Sequence, residues 1–298
     1  MIKLQRNYKI AILWAILAAT LYSFSSPFSK ILLNKIPPTM MAALLYLGAG
    51  IGMTIFGAFS RTSNARTNEL SLTKDELPYI VSMVVLDIIA PVLLMIGLNT
   101  ATPENVSLLN NFEIVATSLI ALLIFKETIT KRLWLSIVLI SISSILLSIE
   151  DMNSFSFSLG SILVLLACIC WGFENNCTRK LSQKDPLQIV IIKGFGSGLG
   201  SLIIALVIKE KVTDIKYIAA ALVLGFFAYG LSIFFYVHAQ RSLGAAKTSA
   251  YYAVAPFIGV VLSFIIFRQP PKINFIIALP IMILGTYLTT TDNLHAEE

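Results

Sequence analysis

Three carboxylates stand inside apolar stretches of this chain: Asp87, Glu113 and Glu174. A charge in hydrocarbon costs roughly 3 kcal/mol or more unless it is paired, protonated or hydrated. Such residues therefore mark sites that bind or move something. Asn110, Glu113 and Thr117 recur at helical spacing and share one face, with Ser107 and Asn111 at its border. A carboxyl in such a polar stripe can take up and release a proton, or hold a polar cargo. The alternative is a protonated or paired Glu113 that only fastens its helix to a neighbour. Asp87 stands near the middle of the preceding stretch, with Pro91 one turn later; the proline can bend a helix where it lines a cavity. If Asp87 and Glu113 approach each other, they would share a proton. A hydrogen bond from Asp87 to a neighbouring helix is the plainer reading.

Trp171, Glu174, Asn175 and Thr178 share a second helical face. Its place near the end of its stretch predicts a water-accessible cluster at a cavity mouth; an interfacial aromatic belt is the alternative for Trp171. Tyr22 aligns with Trp171 and could stack on a planar or apolar solute, although a tyrosine there is more often core. Ser249, Tyr252 and Pro256 form a third stripe, which suits a gate or simple packing. Lys193 either snorkels to the membrane surface or pairs with Glu174. His238 reads as interfacial.

Other chemistries lack their residues. Cys168, Cys170 and Cys177 lie on one helix without a histidine cluster, so neither a metal site nor a disulfide is expected. Gly194, Gly196, Gly198 and Gly200 have no βαβ context and read as close helix packing rather than a nucleotide loop. No Walker A loop is present, and no cofactor is expected. The sequons at Asn105 and Asn176 abut or enter apolar stretches and read as chance. An intramembrane enzyme would need paired catalytic groups, and neither His238 nor His295 is near a mid-span acid in sequence. A filter loop or charged rings, as in a channel, are absent. A structural subunit would gain nothing from acids in hydrocarbon.

The elements that must position these residues are membrane helices. Of 298 residues, 57% are apolar and 13% charged, with a mean hydropathy of +0.83. A soluble domain carries roughly a quarter charged residues. Apolar stretches long enough to span at about 20 residues each fall at 10–32, 39–59, 77–97, 105–125, 133–149, 158–178, 187–208, 217–238, 248–267 and 273–291. Glu113 is then about eight residues, or roughly 12 Å, into the fourth. The N-terminal stretch is too long for a signal peptide and reads as an uncleaved helix. The net charge of +6 falls in short clusters between spans, which suits an anionic leaflet rather than nucleic acid. With the N-terminus inside, fourteen Lys and Arg fall on the cytoplasmic side and seven outside, Lys193 lying in a span. This bias puts both termini in the cytoplasm.

The halves match each other. Tyr22-Ser23-Phe24, Lys30 and Pro37 have the spacing of Trp171-Gly172-Phe173, Arg179 and Pro186, and Phe125-Lys126-Glu127 mirrors Phe267-Arg268-Gln269. Five spans is an odd number, so the second half inserts upside down. The expected fold is an all-α integral membrane protein of ten transmembrane helices in two inverted five-helix repeats, 1–150 and 151–298. Such repeats place a site at the midplane between them.

Ser242-Leu243-Gly244-Ala245-Ala246, Thr248-Ser249-Ala250, Ala255-Pro256 and Phe267, with Asn99-Thr100-Ala101-Thr102, Val106-Ser107 and Phe125-Lys126-Glu127-Thr128-Ile129-Thr130 in the first half, resemble the EamA-type members of the drug/metabolite transporter superfamily. The second half has Gln269 where the family usually repeats the acid of Glu127. The resemblance implies that spans one, three, four, six, eight and nine line a central cavity, with five and ten peripheral. It implies export or exchange of a small metabolite or drug in the plasma membrane. The expected partners are that solute, the bilayer and protons; a homodimer is compatible with the sequence. An uncoupled facilitator is the alternative.

Overall fold

A computed structural model describes residues 2–60, 70, 72–126, 130–151 and 156–295. Glu127, Thr128 and Ile129, with most of the 60–76 connection, lie outside the described residues, as do the side chains of Ser249 and residues 244–247. The described elements are α1 (Ile2–Ser23), α2 (Ser25–Leu32), α3 (Pro38–Ser60), a 3₁₀ turn (Lys74–Glu76), α4 (Leu77–Thr100), α5 (Pro103–Leu109), α6 (Phe112–Phe125) and α7 (Lys131–Ser148). A two-stranded antiparallel ladder, β1 (Ile149–Asp151) with β2 (Ser156–Phe157), follows. Then come α8 (Leu159–Leu181), α9 (Pro186–Val207), α10 (Ile215–Gly225), a π-helical turn (Phe226–Leu231), α11 (Ser232–Tyr252), α12 (Ala255–Phe267) and α13 (Ile273–His295).

Helices dominate because hydrocarbon offers no partner to an unpaired backbone amide. Their starts are marked by residues that satisfy the first free N–H groups. The Thr130 hydroxyl accepts from Leu133, the Asp185 carboxylate from Leu187, and the Asp214 carboxylate from Lys216. Pro38 and Pro186 open α3 and α9, where the missing N–H is not needed. Among the described residues, nine helical segments are long and apolar enough to cross a membrane. The tenth expected span, 248–267, is divided: its first residues continue α11, and α12 has only 13 residues. Pro256 stands at the break, where its ring removes an N–H and excludes the preceding carbonyl.

Lys126 and Arg268 end α6 and α12 in the left-handed region, at φ 55° and 51°. These are the Phe-Lys and Phe-Arg landmarks that the sequence pairs between halves. The dominant packings all cross the halves: α3 with α9, α4 with α8, α1 with α11, and α7 with α13. Small residues make this possible. A methyl on Gly194 would stand 2.4 Å from the Gly50 nitrogen, so the α3 and α9 backbones touch. Between α7 and α13, Ser136 donates to the Gly285 carbonyl at 2.7 Å and Ser143 to that of Ala278 at 2.8 Å. The corner between α4 and α5 is stapled from α2: the Lys30 ammonium donates to the carbonyls of Leu98, Asn99 and Ala101 at 2.6, 2.9 and 2.8 Å.

Candidate functional site

α4, α8 and α9 bring an ion cluster together in the interior. Lys193 Nζ lies 3.1 Å from Asp87 Oδ2 and 2.8 Å from Glu174 Oε1. All three are buried, at 5%, 1% and 3% exposure. Tyr46 of α3 donates to Asp87 Oδ1 at 3.0 Å, and the Thr178 hydroxyl donates to Glu174. Two carboxylates therefore share one ammonium, and neutral hydroxyls complete their shells. This is the arrangement a buried charge requires.

The cluster decides between the alternatives for Asp87 and Lys193 and corrects the expectation for Glu174. Asp87 pairs with Lys193 and Tyr46 rather than with Glu113. Glu174 is not a water-accessible residue at a mouth, because α9 covers it. Lys193 does not snorkel; of its two expected fates, pairing with Glu174 is the one observed. Trp171 is buried at the α8 interface rather than belonging to an interfacial belt.

Glu113 opens α6 and is half-buried. Asn175 of α8 donates to its Oε1 at 2.6 Å and to Thr117 Oγ1 at 3.4 Å. The Glu113 and Thr117 face and the Asn175 face of the sequence thus meet across the two halves. The partner that Glu113 finds there is a neutral amide.

Five tyrosines continue the polar interior. Tyr46 packs on Tyr229 at 5.2 Å between ring centres, and Tyr229 on Tyr22 at 5.9 Å. Tyr22 contacts Tyr252 at 5.9 Å, and Tyr252 contacts Tyr236 at 5.0 Å. Ser25 donates to the Tyr229 hydroxyl at 3.0 Å. Tyr229 sits in the π-helical turn, a distortion that frequently accompanies function. Tyr22 and Tyr252 were expected here. Tyr46, Tyr229 and Tyr236 were not, since a tyrosine in an apolar helix carries no signal that separates it from core. Tyr252 ends α11 while Pro256 is in α12, so the stripe they were expected to form is split by the break.

Beside Tyr22 the interior is discontinuous. α1 and α2 are interrupted at Phe24, α5 and α6 at Asn110–Asn111, and α11 and α12 at Ala253–Val254. Ser23, Ser107, Asn110, Ala255 and Gly259 join Tyr22 around one small cavity at these breaks. Among the described residues, no group of three or more His, Cys, Asp or Glu is placed to hold a metal ion.

The interior thus holds a buried charge cluster, a run of five tyrosines and a set of helix breaks beside Tyr22. Residues 9–149 and 158–291 each match the EamA-like transporter family. The chain belongs to that family. The match in two halves agrees with the repeat read from the landmarks. An uncharacterized transporter of Methanothermobacter thermautotrophicus is 28% identical over 92% of this chain and 84% of its own length. YyaM of Bacillus subtilis, also an uncharacterized transporter, is 25% identical over 69% of this chain and 71% of its own. The uncharacterized inner membrane transporter YedA of Escherichia coli is 25% identical over 76% and 72%. One crystal structure superposes on 97% of this chain and 98% of its own, with a TM-score of 0.68 at 14% identity. That likeness shows the fold alone. This EamA-family chain is thus a multi-pass membrane transporter.

Proposed function

We propose that the protein is a secondary transporter that exports or exchanges a small organic metabolite or drug by alternating access, with proton coupling at Glu113. The observation that carries this reading is the setting of Glu113. It is an acid in a membrane helix, balanced by the Asn175 amide of the opposite half rather than by a cation. A carboxyl so placed can exchange a proton as the halves separate, without leaving an ammonium stranded. Rocking of one five-helix repeat against its inverted mate is supported by the packing pattern. α3 with α9 and α7 with α13 pair equivalent spans, and α4 with α8 corresponds to α11 with α1. Asp87, Glu174 and Lys193 hold the wall of the pathway; Tyr22, Trp171 and Tyr252 offer aromatic surface to the cargo, and Asn110, Thr117 and Asn175 offer polar contacts. The location is the plasma membrane with both termini cytoplasmic.

The test is flux of a solute panel in proteoliposomes, with and without an imposed pH gradient, for wild type and Glu113→Gln. Gradient-driven flux that disappears in the variant is expected. Gradient dependence that persists unchanged in Glu113→Gln would sink proton coupling there. A facilitator is the second reading, favoured by the hydrogen bond that Asn175 already donates to Glu113. It predicts saturable flux that ignores the gradient.

A further inference from the structure

The cavity at the three helix breaks is lined by Ser107 and Asn110, each with a side-chain oxygen that lacks a partner among the described residues. Ser107 is 3% exposed and Asn110 is 7% exposed. Among the described residues, neither Ser107 Oγ nor Asn110 Oδ1 has a hydrogen-bond partner. Buried polar atoms are normally satisfied, so two orphans at one place call for an explanation. A third oxygen joins them. In a helix the Ser23 carbonyl would accept from residue 27, but that residue is Pro27 and has no N–H. The Ser23 oxygen faces the same spot: a methyl at Gly259 would stand 3.4 Å from it and 2.9 Å from Ser107 Oγ. Gly259 thus keeps the space open. The face of Tyr22 closes one side.

Two side-chain oxygens without a partner among the described residues, and a carbonyl whose usual helical donor is replaced by a proline, thus line one cavity. Freed carbonyls and neutral side-chain oxygens at half-helix ends are the ligands that strip water from a compact monovalent cation. A divalent ion would ask for carboxylates in contact, and none lines this cavity. We propose that the cavity binds a compact monocation, either a sodium ion or the ammonium group of the transported solute, through Ser107, Asn110 and the Ser23 carbonyl. The ammonium source rests on the transport reading; the sodium source does not.

A stability assay on the purified full-length protein in detergent separates the two, because it reads binding without flux. Melting temperature is followed as choline chloride is replaced by sodium chloride, potassium chloride or methylammonium chloride at constant ionic strength. Binding to the folded state raises the melting temperature in a saturable way. A rise with sodium assigns the ion, and a rise confined to methylammonium assigns a cargo amine. Ser107→Ala should weaken the apparent constant about tenfold, as expected for one lost ligand. Gly259→Ala should abolish the response by filling the space; if it does not fold, Ser107→Ala carries the test. Equal melting temperatures in all four salts, or a response unchanged in Ser107→Ala and Asn110→Ala, would overturn the proposal. Gradient dependence that persists in Glu113→Gln while this response is intact would instead count against Glu113 coupling alone.

Discussion

Two polar regions of the interior solve opposite problems. The cluster of Asp87, Glu174 and Lys193 is charged, but every carboxylate has an ammonium or hydroxyl partner. It is carried by α4, α8 and α9, which run unbroken. The region of Ser107, Asn110 and Glu113 carries less charge, but two of its oxygens have no partner among the described residues and three helix breaks surround it. A satisfied network in low dielectric is rigid and demanding of all its members. An unsatisfied one is a standing demand for something from outside. The first region reads as the frame, the second as the place where cargo and coupling ions arrive.

This contrast can be broken at its strongest point. Lys193→Met leaves Asp87 and Glu174 buried without their ammonium, and a broken buried pair costs about 3–5 kcal/mol. Thermal unfolding in detergent should show a large loss; a stability near wild type would mean that water reaches the cluster and that the frame is part of the pathway. Tyr46→Phe removes the donor to Asp87 and should cost about 1.5–3 kcal/mol in the same assay. Glu113→Gln keeps the shape and a partner for Asn175, so its stability should change by less than about 1 kcal/mol while pH-driven flux is lost. At the weak end, Ser107→Ala deletes a hydroxyl that has no partner to lose. In choline chloride its melting temperature should match or slightly exceed wild type, since removing an unsatisfied buried group is neutral or favourable. A marked drop in that buffer would show that the hydroxyl is already engaged.

The sequence exposed the acids better than it exposed their neighbours. Asp87, Glu113 and Glu174 stand out because each breaks an apolar run, and the Lys193–Glu174 pair follows from adjacent spans. Which acid would take Lys193 depends on helix rotation, and the low amphipathicity of these apolar helices gives little clue to it. Hence an approach of Asp87 to Glu113 stood beside a hydrogen bond to a neighbouring helix as alternatives, and the second is the one observed. The breaks were unevenly legible. Pro256 announced one of them. The Asn110–Asn111 break has no proline or glycine, although paired asparagines compete for backbone hydrogen bonds. Its signature is the switch to i→i+3 bonds, with Glu113 donating to Asn110 at 3.1 Å and Ile114 to Asn111 at 3.1 Å. Tyr46 and Tyr229 were silent in sequence because their hydroxyl partners, Asp87 and Ser25, lie on other helices far along the chain.

The staple at Lys30 has a mechanical consequence. One ammonium holds three carbonyls, of Leu98, Asn99 and Ala101, at the α4–α5 corner. A single charge there works like a rivet. Pulling α2 away cannot peel the corner strand by strand, because the three bonds share one nitrogen and are lost together. The corner is therefore either docked or free, with no graded slack between, and α2 transmits a displacement to α4 and α5 as a latch does rather than as a spring.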